Sequence, residues 1–162
     1  MKILPIIFLL TFFAGNPTLT ERKIEVIKFE QLEELINQEG EGIKIINFWA
    51  TWCKPCIKEL PLFEALEDEM DGVPMKVYLI SMDFPEEADT KVKAFLERRN
   101  INSEVKLLDE TDFNAFIDKV DSRWSGAIPA TLIINDKTKA RAFLEKELQE
   151  GELEEQIKLL IK

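Results

Sequence analysis

The sequence predicts an α/β domain in which a mixed central β-sheet is covered by helices. Two observations indicate this fold class. Short apolar and β-branched runs alternate with stretches in which apolar residues recur at helical spacing, and the chain ends in a strand pair followed by a helix. The chain has 162 residues, 46% of them hydrophobic. This length and composition suit a single domain whose core needs no metal or disulfide to stabilise it.

The first half of the domain is predicted to contain three strands and two helices. The strands are 24–29, 43–50 and 75–82, and the helices are 30–38 and 54–70. The run over 43–50 is β-branched and apolar, which is typical of a buried central strand. The first helix ends before Gly40 and Gly42, which break the chain. The second helix has one apolar face and contains Pro61, which should kink it.

The second half continues the alternation and then closes with a hairpin. The predicted helices are 86–99, 111–120 and one after Gly151, and the predicted strands are 104–108, 130–135 and 140–145. The turn at 135–137 joins the last two strands into the hairpin. The predicted order is therefore β-α-β-α-β-α-β-α-β-β-α, a mixed sheet flanked by helices.

Charge and composition exclude several classes of function. The chain has 31 acidic and 21 basic residues, a formal net charge of −10. An acidic surface repels phosphate backbones, so we expect no nucleic-acid partner. The chain contains no histidine, which removes Ser-His and Cys-His catalysis. Two cysteines without histidine also fall short of a four-ligand zinc site unless carboxylates complete it.

The N-terminus resembles a targeting segment. Lys2 precedes an almost wholly apolar run over 3–14, and a polar stretch follows, which is the order found in a secretory signal. We therefore interpret residues 1–20 as a signal peptide or an uncleaved N-terminal membrane anchor, and residues 21–162 as the folded domain. Either outcome places the domain outside the cytoplasm, in an oxidising compartment.

Two cysteines, Cys53 and Cys56, lie where a buried strand ends and a helix begins. The amides and dipole at a helix N-terminus stabilise an anion, which favours a thiolate at Cys53. The spacing brings both sulfurs within bonding distance, with Cys53 facing outward and Cys56 beneath it. Pro55 stiffens the start of the helix. Lys54 adds a nearby cation, or is simply a solvated side chain.

Alternatives to a redox role for the pair are weaker. A structural disulfide across two residues closes almost no chain, so it would contribute little stability. A zinc half-site lacks partners. We therefore expect Cys53 to attack a disulfide and Cys56 to resolve the mixed disulfide that forms.

The segment Trp52–Cys56 resembles the active-site loop of the thioredoxin superfamily. Pro61 matches the helix-kinking proline of that family, and residues 128–131, Ile-Pro-Ala-Thr, are similar to its cis-proline loop. The resemblance implies a thioredoxin-like fold in which Ile128–Pro129 is a cis peptide facing the cysteines. It also implies that the backbone of this loop pairs with a bound substrate strand, beside an apolar platform formed by Trp52.

The spacing between Cys56 and Pro129 indicates which subgroup of the thioredoxin superfamily the chain resembles. It is longer than a plain thioredoxin needs, and the surplus contains an extra helix and strand after the 75–82 strand. This αβ insertion and the N-terminal segment are similar to the TlpA/ResA-like extracytoplasmic thiol–disulfide oxidoreductases. That resemblance implies client proteins with cysteine pairs, apocytochrome c among them. It further implies an upstream thiol electron donor at the membrane and no cofactor beyond the cysteine pair.

Two further positions take their meaning from the resemblance. Thioredoxins have a buried aspartate six residues before the first cysteine, and here that position is Asn47, which cannot shuttle a proton. The TlpA/ResA-like group has a glutamate three residues after the second cysteine, and Glu59 occupies that place. Glu59 lies one helical turn from Cys56 and is predicted to take its proton during resolution. The alternative is an ordinary solvated glutamate.

The sequence is also compatible with other functions. An oxidase or isomerase of the same fold would use the same cysteines, and redox potential separates these from a reductase. A thiol peroxidase would need a threonine and an arginine near its cysteine, and only Thr51 is present. A copper-binding module would usually recruit histidine or methionine as well.

Overall fold

A computed structural model describes residues 23–162, apart from the side chain of Glu67. The strands are β1 (Glu25–Ile27), β2 (Ile43–Trp49), β3 (Met75–Ser81), β4 (Glu104–Leu108), β5 (Ala130–Asn135) and β6 (Arg141–Leu144). The α-helices are α1 (Phe29–Asn37), α2 (Lys54–Glu69), α3 (Lys93–Arg99), α4 (Ile117–Val120) and α5 (Glu152–Leu160). The predicted targeting segment, residues 1–20, lies outside the described residues. Within residues 23–162, no helix is both long and apolar enough to cross a membrane.

All six strands form one mixed sheet in the order β1-β4-β3-β2-β5-β6. The first four are parallel to one another, whereas β5 is antiparallel to both β2 and β6. Trp49 at the end of β2 lies opposite Ser81, and Phe48 lies opposite Ala130 at the start of β5. The ends of β2 and β3 and the start of β5 therefore share one edge of the sheet, which we call the cysteine edge.

The central strand β2 is buried along its whole length and divides the core into two layers. Side chains alternate between the faces of a strand. Ile45 and Trp49 accordingly pack in the layer that contains Phe63 of α2, whereas Phe48 packs in the opposite layer. The ring of Phe48 lies 4.4 Å from that of Trp124. Packing on both faces fixes the position of the loop that follows Trp49.

The structure confirms the predicted fold class and most element boundaries. The predicted αβ insertion is present as α3 and β4, and β4 lies within the sheet between β1 and β3. The ends of the predicted strands and of the first two helices differ from the observed ends by at most two residues. Hydrophobic periodicity is a local signal, so it locates these elements well.

The prediction of one continuous helix over 86–99 is wrong. The segment begins with a 3₁₀ turn at Pro85–Glu87, continues as a π-helical turn at Ala88–Val92 and becomes α-helical only in α3. The wide turn carries Lys91, whose ammonium lies 3.2 Å from Glu87 and 3.7 Å from Asp83. Charge pairing thus holds this turn against the chain that leaves β3.

The helix predicted over 111–120 is also wrong in length. Only a 3₁₀ turn at Phe113–Ala115 and the short α4 form there. Phe116, between them, leaves helical geometry with φ −131° and buries its ring 5.5 Å from that of Phe29. Burial of a phenylalanine contributes about 2 kcal/mol, more than the propensity of one residue for a helix.

Candidate active site

Cys53 and Cys56 form a disulfide at the N-terminus of α2. Cys53 is the N-cap residue, and its sulfur accepts a hydrogen bond of 3.3 Å from the backbone N–H of Cys56. No acidic residue lies in the first turn of α2 to oppose a negative charge there. Cys53 is 5% exposed and Cys56 is fully buried. The sulfurs are layered as predicted, but Cys53 faces outward far less than the sequence suggested.

The peptide bond between Ile128 and Pro129 is cis, as the resemblance implied. It lies against the disulfide, because the carbonyl oxygen of Ile128 is 3.8 Å from the Cys53 sulfur. The N–H of Ile128 has no hydrogen-bond partner among the described residues. One donor and one acceptor of a single residue are thus available beside Cys53.

Glu59 is buried, which excludes the alternative of a solvated helix glutamate. It is 1% exposed, and its carboxylate accepts hydrogen bonds from Asn47 Nδ2 at 2.8 Å and from the N–H of Leu148 at 2.7 Å. Burial disfavours the anion more than these two donors favour it. The pKa of Glu59 is therefore raised to about 7, so the carboxyl can gain or lose a proton near neutral pH.

Asn47 links Glu59 to the strand that follows Pro129. Its Nδ2 lies 3.1 Å from the hydroxyl of Thr131 and 3.5 Å from the carbonyl oxygen of Ala130. Its Oδ1 is buried without a hydrogen-bond partner among the described residues. An amide at this position gives Glu59 a donor without adding a second titrating group.

Asp83 is a site residue that the sequence analysis missed. Its carboxylate accepts from the N–H of Thr51 at 2.9 Å, from the Thr51 hydroxyl at 2.5 Å and from the Ser81 hydroxyl at 2.8 Å. It is 3% exposed, so these donors replace water. The side chain joins the end of β3 to the loop two residues before Cys53. The only sequence signal was an aspartate directly after a buried strand.

The predicted site residues lie around the disulfide but differ in their exposure. Cys53, Cys56 and Ile128 meet at the cysteine edge. Trp52 is 58% exposed, and Lys54 is also exposed at the first position of α2. Pro55 takes the second helical position, where its missing N–H leaves no hydrogen bond broken.

Trp124 lies in the core, yet it also contributes to the cysteine edge. Its indole N–H donates to the carbonyl oxygen of Ala127 at 2.8 Å, just before the cis peptide.

No cluster of three or more acidic or cysteine side chains arranged to hold a metal occurs within residues 23–162. The chemistry that this geometry offers is thiol–disulfide exchange.

The fold and the cysteine edge define a thioredoxin-like protein with an internal redox disulfide. The chain belongs to the AhpC/TSA family, which it matches over residues 18–143. It is 31% identical over 101 residues to the thioredoxin-like protein YneN of Bacillus subtilis and 29% identical over 139 residues to the thiol-disulfide oxidoreductase ResA of Halalkalibacterium halodurans. These matches cover 62% and 80% of the chain, but 55% and 70% of the relatives.

Solved structures confirm the fold. The chain resembles a thioredoxin-related protein from Neisseria meningitidis serogroup B, with a TM-score of 0.64, 22% identity and coverage of 75% of this chain and 87% of the other. It also resembles StoA from Bacillus subtilis, with a TM-score of 0.55, 22% identity and coverage of 73% and 83%. Together with the family match and the 29% identity to ResA, this confirms the predicted resemblance to ResA-like thiol–disulfide oxidoreductases.

Glu59→Gln should change how stability depends on pH. An unfolded glutamate has a pKa near 4.5, whereas folded Glu59 has a pKa of about 7, so ionisation of Glu59 opposes folding. Its contribution to stability is complete below the unfolded pKa and is lost as pH rises through the folded pKa. We expect the unfolding free energy of the wild type, relative to the variant, to fall by about 3 kcal/mol across that window. Urea unfolding of both proteins at the two ends of the window measures this; parallel pH profiles would contradict it.

Asp83→Asn should loosen the loop before Cys53. An amide oxygen cannot accept from all three donors that surround the carboxylate, so at least one buried donor loses its partner. We expect the unfolding free energy to fall by about 1–3 kcal/mol, measured by urea titration. Asp89→Asn is the matched control, because Asp89 is exposed on the same segment. Equal stability of the two variants would show that Asp83 does not hold the loop.

Proposed function

We propose that this chain is a thiol–disulfide oxidoreductase that reduces disulfides of exported client proteins through Cys53 and Cys56. The observation that carries the proposal is the disulfide at the start of α2, with the Cys53 sulfur 3.8 Å from the carbonyl oxygen of Ile128. The Cys53 sulfur thus lies beside backbone groups that can pair with an extended client segment, which supports its proposed role as the attacking atom. The similarity to proteins named thiol–disulfide oxidoreductases supports the same activity.

In the reduced protein, Cys53 attacks a client disulfide as a thiolate. The N–H of Cys56 already points at this sulfur, and the α2 dipole favours a negative charge on it. Attack forms a Cys53–client disulfide and expels one client sulfur as a thiolate. The free N–H and carbonyl of Ile128 would hold the client strand by backbone pairing while this occurs.

Cys56 then resolves the mixed disulfide. Glu59, one turn further along α2, takes the proton of the Cys56 thiol. The Cys56 thiolate attacks the Cys53 sulfur, which forms the intramolecular disulfide and releases the second client sulfur. The client gains two electrons and two protons, and the protein is left oxidised. A pKa of about 7 suits Glu59 to this role, because the carboxylate is then available near neutral pH.

A donor dithiol must reduce the Cys53–Cys56 disulfide before the next cycle. We place this exchange outside the cytoplasm, at or near a membrane. The apolar run over 3–14, preceded by Lys2, supports this location as an export signal or anchor. Apocytochrome c and other exported cysteine-pair proteins fit as clients, because their thiols oxidise in such a compartment.

The redox potential tests the direction of electron flow. A reductase should have a potential of about −270 mV, and a strong oxidant one of about −120 mV. Equilibration with glutathione buffers, read by alkylation and mass spectrometry, measures it. The peroxidase alternative is weakened because the Thr51 hydroxyl is engaged by Asp83. Turnover of hydrogen peroxide in preference to insulin would reverse this ranking.

Cys56→Ser should trap the client. Without a resolving sulfur, the Cys53–client disulfide accumulates, and a non-reducing gel or intact-mass measurement detects it. Disulfide-bonded insulin, mixed with the reduced variant, is a suitable client. Cys53→Ser is the matched control and should form no adduct, since Cys56 is fully buried. Adducts on Cys56 in that control would show that Cys56, and not Cys53, can attack the client disulfide.

Glu59→Gln should slow the resolving step. In the wild type, the single-turnover rate rises as Glu59 ionises through its pKa of about 7. The variant should lose that inflection and react slower by a factor on the order of 100 above it, the usual contribution of a general base. Stopped-flow tryptophan fluorescence measures both rates. Asp68→Asn, exposed on the same helix, is the control. Identical pH profiles for wild type and variant would remove Glu59 from the proton transfer.

A further inference from the structure

We propose that Glu145 is a positioning residue for client binding, because its carboxylate fixes the segment that presents Ile128. The inference rests on the proposed function, since it concerns how that reaction recognises a protein client. Glu145 follows the last residue of β6 and is half-buried. It is 18 to 20 residues away in sequence from the groups that it binds.

The carboxylate of Glu145 gathers three donors from the segment before the cis peptide. It accepts from the N–H of Ser125 at 3.1 Å, from the N–H of Ala127 at 3.1 Å and from the hydroxyl of Ser125. An ionised carboxylate only accepts, so it matches three donors without conflict. Partial burial opposes its ionisation, but these donors outweigh burial and hold the pKa of Glu145 below its usual range.

The clamped segment has little rigidity of its own. Gly126, between the two bound peptide groups, has φ +92°, a conformation that glycine adopts readily and side-chain-bearing residues avoid. Glycine leaves the unclamped chain many conformations. The hydrogen bonds from Glu145 to the residues on both sides of Gly126 therefore select one conformation. The conformational entropy of this segment is thus lost on folding and not on client binding.

The same contacts occupy the backbone groups of Ala127 and so leave its neighbour Ile128 to pair with a client. The N–H of Ala127 goes to Glu145, and its carbonyl oxygen accepts from the Trp124 indole. Pro129 has no N–H to offer. A client strand that approaches Cys53 can pair with Ile128, whose carbonyl oxygen lies 3.8 Å from the Cys53 sulfur, so the orientation of this residue affects affinity. A change in the backbone orientation of Ile128 would weaken client binding and leave the reaction at the cysteines unchanged.

Glu145→Gln tests this assignment. An amide oxygen cannot satisfy all three donors, so the segment should loosen. Two substrates separate binding from chemistry: insulin, which offers a peptide backbone, and dithiobis-nitrobenzoate, a small disulfide without one. We expect KM for insulin to rise about three- to tenfold, the scale of one lost hydrogen bond between neutral groups, such as the client backbone and Ile128. The kcat for insulin and the rate with the small disulfide should stay unchanged.

Glu150→Gln is the matched control, because Glu150 is exposed in the same connection between β6 and α5. It removes the same charge without contact with the cis-peptide segment and should leave KM unchanged. Thermal unfolding of both variants shows whether folding is affected. An unchanged KM in Glu145→Gln, or equal losses with both substrates, would overturn the positioning role. Failure of the wild-type protein to reduce either substrate would instead defeat the proposed function, and the inference with it.

Discussion

The buried carboxyl of Glu59 is the constraint on which the rest of the cysteine edge depends. It joins three parts of the chain: α2, which carries it, β2 through Asn47, and the connection after β6 through Leu148. A carboxylate taken out of water is costly unless donors surround it. Two donors among residues 23–162 reach it, so near neutral pH this group is held close to the balance between its charged and neutral forms. The strand, the helix and the connection must all be in place for that balance to exist.

Two further carboxylates hold the loops on either side of the disulfide. Asp83 binds the loop that leads into Cys53, and Glu145 binds the segment that leads to Pro129. Each receives backbone N–H groups from a loop that lacks regular structure of its own. The high acidic content of the chain therefore does more than keep the protein in solution. Carboxylates accept several hydrogen bonds at once, which suits them to fixing irregular backbone.

Sequence patterns predicted what depends on near neighbours. The strand β2, the start of α2 and the roles proposed for Cys53 and Cys56 follow from periodicity and spacing within one element and the loop beside it. Asp83 and Glu145 were missed because their partners lie 32 and 18 to 20 residues away, and no local pattern marks such contacts. The burial of Glu59 was undecidable for the same reason, since Leu148 is 89 residues away. The break at Phe116 required knowledge of the aromatic rings that receive it.

The neutral amide of Asn47 determines how many buried groups near Glu59 can titrate. An aspartate at position 47 would put two carboxyl groups in contact in the protein interior. They would titrate as an interacting pair, and neither macroscopic pKa would belong to a single residue. With asparagine, no carboxyl at position 47 competes with Glu59 for a proton, although the two side chains are in hydrogen-bond contact. While the cysteines are joined as a disulfide they do not titrate, so the proton of Glu59 follows a curve that neither they nor position 47 complicate. The midpoint of that curve reflects the burial of the carboxyl, its hydrogen bonds to Leu148 and Asn47, and the nearby charge of Glu147.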